Sequence, residues 1–132
     1  MQRLLATVLL FAAALAHPFS DGGFVQGDVK FDPDDRPAAG VQTLAWIQFI
    51  SVGGRSVNPE DCFCTLLFYQ GQVSATAKPD ASVRLTRNPA TGRMEGKVVF
   101  PKAGPYFLVL LGRPMPGKQV PPFIMNSIFV VN

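Results

Sequence analysis

Past residue 16, apolar and polar positions alternate in short runs. No stretch keeps an amphipathic helical period without a Gly or Pro breaking it. The alternation predicts strands over 27–31, 43–52, 62–70, 82–86, 93–100, 106–111 and 123–131, with a short hairpin strand at 55–57. Punctuation falls between them. Asp32-Pro33-Asp34-Asp35-Arg36-Pro37 is a turn, Gly53-Gly54 a hairpin signal, 58–60 a loop and 71–81 a polar connection. Residues 88–92 have type I turn composition, and 113–122, which holds Pro114, Pro116, Pro121 and Pro122, reads as a loop.

The faces carry more detail. In 43–52, Leu44, Trp46, Ile50 and Val52 fall on one side, interrupted by Gln48, while Ala45, Ile47 and Phe49 fall on the other. Apolar character on both faces predicts a central strand, with Trp46 as a core indole. Cys62, Cys64, Leu66 and Phe68 share one face of the next long strand. Val83 and Leu85 should point inward and Arg84 outward. About seven or eight strands with turn signals every 8–12 residues or so is the pattern of an all-β, immunoglobulin-like antiparallel β-sandwich. Gly104-Pro105-Tyr106 fits a tyrosine corner, with the Tyr106 hydroxyl bonded to backbone upstream.

Composition supports this class. The chain has 12 Gly, 12 Pro and 11 Phe with only 16% charged residues, which suits short strands and tight turns. The first residues read differently. Arg3, the apolar run 4–13 and Ala14-Leu15-Ala16 form a secretory signal peptide cut before His17. Its apolar run falls short of the roughly 20 residues that span a bilayer. The expected organisation is therefore a leader, 1–16, and one domain, 17–132, released into a periplasm or the medium, with no transmembrane segment in the mature chain. Formal net charge is +3, and one basic residue leaves with the leader. That balance is too small, and the Lys and Arg too scattered, to predict a nucleic-acid partner.

Candidate chemistry is sparse. His17 is the only histidine, and after cleavage its amine and Nδ1 could chelate Cu(II). A histidine brace or blue-copper site needs a second histidine, so further ligands must come from Cys62, Cys64 or Met115. Met125 could serve too, though methionine commonly fills core gaps. Cys62-Phe63-Cys64 leaves three fates open: a local disulfide, buried thiols, or a soft-metal pair. On a regular strand their Cα atoms would be roughly 6.5–7 Å apart, at the upper edge for a disulfide. Asp32, Asp34 and Asp35 lack the Glu of a calcium loop and read as a turn. A catalytic triad would have to use His17 at a chain terminus, and nothing marks a carboxylate pair or a phosphate-cradling loop, so an enzyme is not expected.

Several segments carry a resemblance. They are His17 after the leader, Asp32 through Gly40, Trp46, Cys62-Phe63-Cys64, Phe100-Pro101-Lys102-Ala103-Gly104-Pro105-Tyr106 and Pro122-Phe123. Together they resemble a group of exported single-domain β-sandwich proteins known mainly from cyanobacteria, a group that implies no activity. More loosely, the corner is similar to YtkA-like and CopC-like periplasmic domains, some of which handle copper.

Two functions follow as expectations. One is an exported binding or accessory protein that holds copper through His17. The other is a metal-free module docking on another exported protein or on glycan. A cluster of His17 with Cys62, Cys64 or a Met would favour the first, and exposed apolar residues around 116–123 the second. The leader makes its own prediction: the intact mass of the exported protein should match residues 17–132. A mass retaining the leader would remove the terminal amine on which the copper chelate depends.

Overall fold

The computed structural model describes residues 18–21, 25–74, 76–120 and 122–132. The expected leader, 1–16, and His17 lie outside the described residues. Ten strands make up the described fold: β1 (Pro18–Asp21), β2 (Val25–Asp32), β3 (Gln42–Val52), β4 (Arg55–Val57), β5 (Cys62–Tyr69), β6 (Ala81–Arg84), β7 (Thr86–Arg87), β8 (Met94–Val99), β9 (Gly104–Pro114) and β10 (Phe123–Val131). One sheet has the order β1-β2-β3-β8-β7, with β4 paired to β3; the other has the order β10-β9-β5-β6. Both are antiparallel throughout. They pack face to face as a β-sandwich. The runs β2-β3-β8-β7 and β10-β9-β5 follow the A-B-E-D and G-F-C orders of an immunoglobulin-like domain.

Turn chemistry fixes much of this. Gly53 and Gly54 both have positive φ, 60° and 81°, as a two-residue hairpin between β3 and β4 requires. The acidic turn after β2 uses its carboxylates on the backbone: Asp35 accepts from the Phe31 amide at 3.2 Å and Asp34 from the Arg36 amide at 3.0 Å. Asn58 caps a 3-10 turn, Pro59–Asp61, by accepting from the Glu60 amide.

The strand count exceeds the expected seven or eight. β1 and the two-residue β7 are additions. β9 runs from Gly104 to Pro114, well beyond 106–111. Its prolines sit near the two ends of the strand, which the ladder tolerates. Arg113 and Pro114, expected in a loop, therefore belong to a strand, with Arg113 opposite Phe63.

The expected core position of Trp46 is also corrected. Across β2 and β3 the register jumps from Asp28–Phe49 to Val29–Ile47, so Gln48 is the extra residue of a β-bulge. Before it, Thr43, Ala45 and Ile47 face inward; after it, Ile50 does. A strict period of two wrongly placed Trp46 with Ile50. Trp46 instead lies half-buried on the outer face, with the Arg93 guanidinium 4.3 Å over its ring. Arg93 in turn bridges Asp32 at 3.4 Å and Glu95 at 3.1 Å.

The core is built on phenylalanine. Phe31, Phe68, Phe100, Tyr106 and Phe129 are all buried and in mutual ring contact, with centroids 4.9–6.4 Å apart. The tyrosine corner forms as expected. The Tyr106 hydroxyl donates to the Lys102 carbonyl at 2.9 Å and accepts from the Lys102 amide at 3.4 Å. Gly104, at φ 121°, lets the chain turn there, and Gln70 donates to the neighbouring Ala103 carbonyl at 2.9 Å.

Burial pushes the Tyr106 phenol above its ordinary value of 10.0; the bond to Lys102 opposes the shift and the Asp80 carboxylate adds to it. The unfolded chain therefore ionises first, and this contribution to stability is lost as pH rises above 10.0 toward the folded-state value. Tyr106→Phe should lower the unfolding free energy by about 1 kcal/mol at neutral pH, the scale of one net hydrogen bond. It should also flatten the alkaline fall. Denaturant midpoints at pH 7 and above pH 10 or so measure both effects.

Candidate interaction face

The sulfur ligands proposed for a metal are bonded to each other. Cys62 and Cys64 form a disulfide with Cα atoms 5.6 Å apart, closer than a regular strand places them and within the range disulfides adopt. Both are fully buried on the inner face of β5. Met125 is also buried, as a core side chain of β10. Met115 is half-buried just past β9, in a groove with Glu60, Phe63, Arg84 and Met94. His17 lies outside the described residues. Among the described residues no three His, Cys, Asp or Glu side chains come together as a metal site.

What the structure brings together is the outer face of the four-stranded sheet. In β10, Phe123, Met125, Phe129 and Val131 point inward, so alternation turns the exposed Asn126 outward together with three apolar residues, Ile124, Ile128 and Val130. These are 56%, 62% and 53% exposed. Register sets them beside outward residues of β9: Ile128 opposite Phe107, Ile124 opposite Leu111. β5 continues the row, with Tyr69 opposite Phe107 and Leu67 opposite Val109. Phe107 and Leu111 are 42% and 37% exposed. β10 ends this sheet, so the apolar face reaches its edge.

One end of the face is basic. Phe63 of β5 stands opposite Arg113, and Thr65, two residues on, stands opposite Arg84. Both guanidinium groups lie over the Phe63 ring, Arg84 at 4.9 Å and Arg113 at 5.5 Å from its centroid. With Leu111, Gly112 and Phe123 these residues line a groove of about 390 Å³. The Phe123 ring lies where a side chain on Gly112 would sit, so only glycine fits beneath it.

The exposed apolar surface is thus not centred on 116–123, where Val120 and Phe123 are buried, but on β9 and β10. A signal existed in the sequence. The run 123–131 is apolar at both even and odd positions, more than one buried face needs. Arg113 was hidden by its place among prolines.

No protein family, curated protein or solved structure matches the chain. Among the described residues no helix is long and apolar enough to cross a membrane.

Proposed function

We propose that this protein is an exported, non-enzymatic β-sandwich that acts as an interaction module, docking another exported protein on the outer face of its four-stranded sheet. The outward apolar residues Ile124, Ile128, Val130, Phe107 and Leu111, gathered on two neighbouring strands and interrupted on β10 by Asn126, carry this reading. Isolated exposed apolar residues are ordinary, but a contiguous apolar patch of several hundred Å² marks a contact surface. A nine-residue edge strand with two more beside it gives a patch roughly 30 Å by 15 Å. Covering it and its mate would bury on the order of 1,000 Å², the lower end of specific interfaces. Export is supported by the leader-like pattern of residues 1–16 and by a disulfide, which persists in oxidising compartments. A copper function has less support, because the pairing of Cys62 with Cys64 and the burial of Met125 in the core take three of its five candidate donors, leaving His17 and Met115.

A photo-reactive side chain in place of Ile128 tests the reading in the native host. It should give one discrete adduct with another protein, whereas the same group at Gln26, exposed on the opposite sheet, should give none. No adduct at 128, identical adducts from both positions, or a second copy of this chain as the sole adduct would overturn the reading of a separate partner.

A further inference from the structure

We propose that Arg84 and Arg113, stacked over Phe63, form a clamp for a carboxylate side chain of the docked protein. The inference rests on the docking reading above and names the chemistry at one end of that face.

Three observations converge. First, the charge is uncompensated. Arg87 and Arg93 are ion-paired, with Glu60 and with Asp32 and Glu95 respectively. Arg84 and Arg113 have no ion-pair partner among the described residues; the groove that both line contains no carboxylate, and Glu60, which shares a second groove with Arg84, is paired with Arg87. Second, the two cations share one ring, flanking it from β6 and β9. Each lies within about 6 Å of the same ring, the range in which a cation is attracted to an aromatic face. Stacking orders the side chains while leaving their N–H edges free to donate. Two like charges flanking one ring repel each other, and an anion bound in the groove that both line relieves that repulsion. Third, the surroundings suit a carboxylate on an apolar body. Thr65 supplies a hydroxyl, and Phe63 and Leu111 supply apolar walls that continue into the docking face. The planar guanidinium fork matches a carboxylate in paired hydrogen bonds, which lysine would not reproduce. An acidic residue next to an apolar strand on the partner would thus fix its register on the sheet, while the apolar row supplies most of the contact.

Poly-L-glutamate is a direct probe, used at low salt because exposed charges are screened otherwise. Two-dimensional ¹H–¹⁵N spectra, including the arginine Nε–H signals, should show shifts concentrated at Phe63, Thr65, Arg84 and Arg113. Affinity should fall about tenfold or more in the Arg84→Gln/Arg113→Gln protein, the loss expected when charge-assisted bonds are removed. Ile128→Asp should retain poly-L-glutamate binding while losing the protein partner, which separates failure of the clamp from failure of the docking reading. Unchanged affinity in the double variant would overturn the proposal, as would shifts spread evenly over other basic residues. Tighter binding of polygalacturonate or inorganic phosphate than of poly-L-glutamate would overturn the assignment to a protein carboxylate.

Discussion

The fold depends on a cluster of five rings between the sheets. Phe31 comes from β2 and Phe100 follows β8, so one sheet contributes two; Phe68, Tyr106 and Phe129 come from β5, β9 and β10 of the other. Phe68 meets Phe100 edge-on at 4.9 Å, and Phe31 stacks on Phe129 at 5.0 Å. Each such side chain contributes about 1.5–3 kcal/mol by leaving water, and well-oriented ring pairs add about 0.5–1.5 kcal/mol. No other contact described here joins so many strands across the sandwich. The Tyr106 hydroxyl extends the cluster into the backbone through Lys102, tying the start of β9 to the chain that leads into it.

Because these rings and their aliphatic neighbours fill the interior, the inner faces need nothing more from the chain. The six-stranded sheet largely clothes its outside with polar groups: Arg93 covers Trp46, and Asp32, Glu95 and Asn88 complete a charged network above it. The four-stranded sheet carries fewer such groups on β9 and β10. Its outward positions on β9 and β10 include Phe107, Leu111, Ile124, Ile128 and Val130, broken by Asn126, and its two arginines lie over Phe63 at one end. The two outer faces differ in how their exposed apolar residues are placed: Phe49 and Val99 stand apart on the six-stranded sheet, whereas those of the four-stranded sheet gather on β9 and β10.

Fold class was legible in the sequence because strand periodicity and turn residues are local signals. Gly53-Gly54, the strand 123–131 and the Tyr106 corner all stand where pattern placed them. Trp46 did not, because one bulge at Gln48 reverses every later side chain of β3, and nothing in the residue types announces a bulge. Arg113 was lost to a loop because its proline neighbours outweighed a pairing that only the register with Phe63 reveals. The interaction face was half-visible. Ile124, Ile128 and Val130 could be read as excess apolar character, but whether an apolar strand lies at an edge or in a sheet's middle depends on topology, which is non-local. The metal reading leaned on two cysteines at i and i+2, and their closing into a disulfide depended on a local strand spacing of 5.6 Å that alternation does not encode.

The central claim is a division of labour: inner faces hold the sandwich together, and the outer face of the four-stranded sheet is free for a partner. Equilibrium unfolding of Phe68→Ala and Ile128→Ser, compared in the same buffer, tests it most directly. Phe68→Ala should cost about 3–5 kcal/mol, as loss of a fully buried ring does. Ile128→Ser should stay within about 0.5 kcal/mol of the parent, as exposed substitutions do. An Ile128→Ser loss as large as that of Phe68→Ala would show that the outer row supports the fold itself, and would contradict the account.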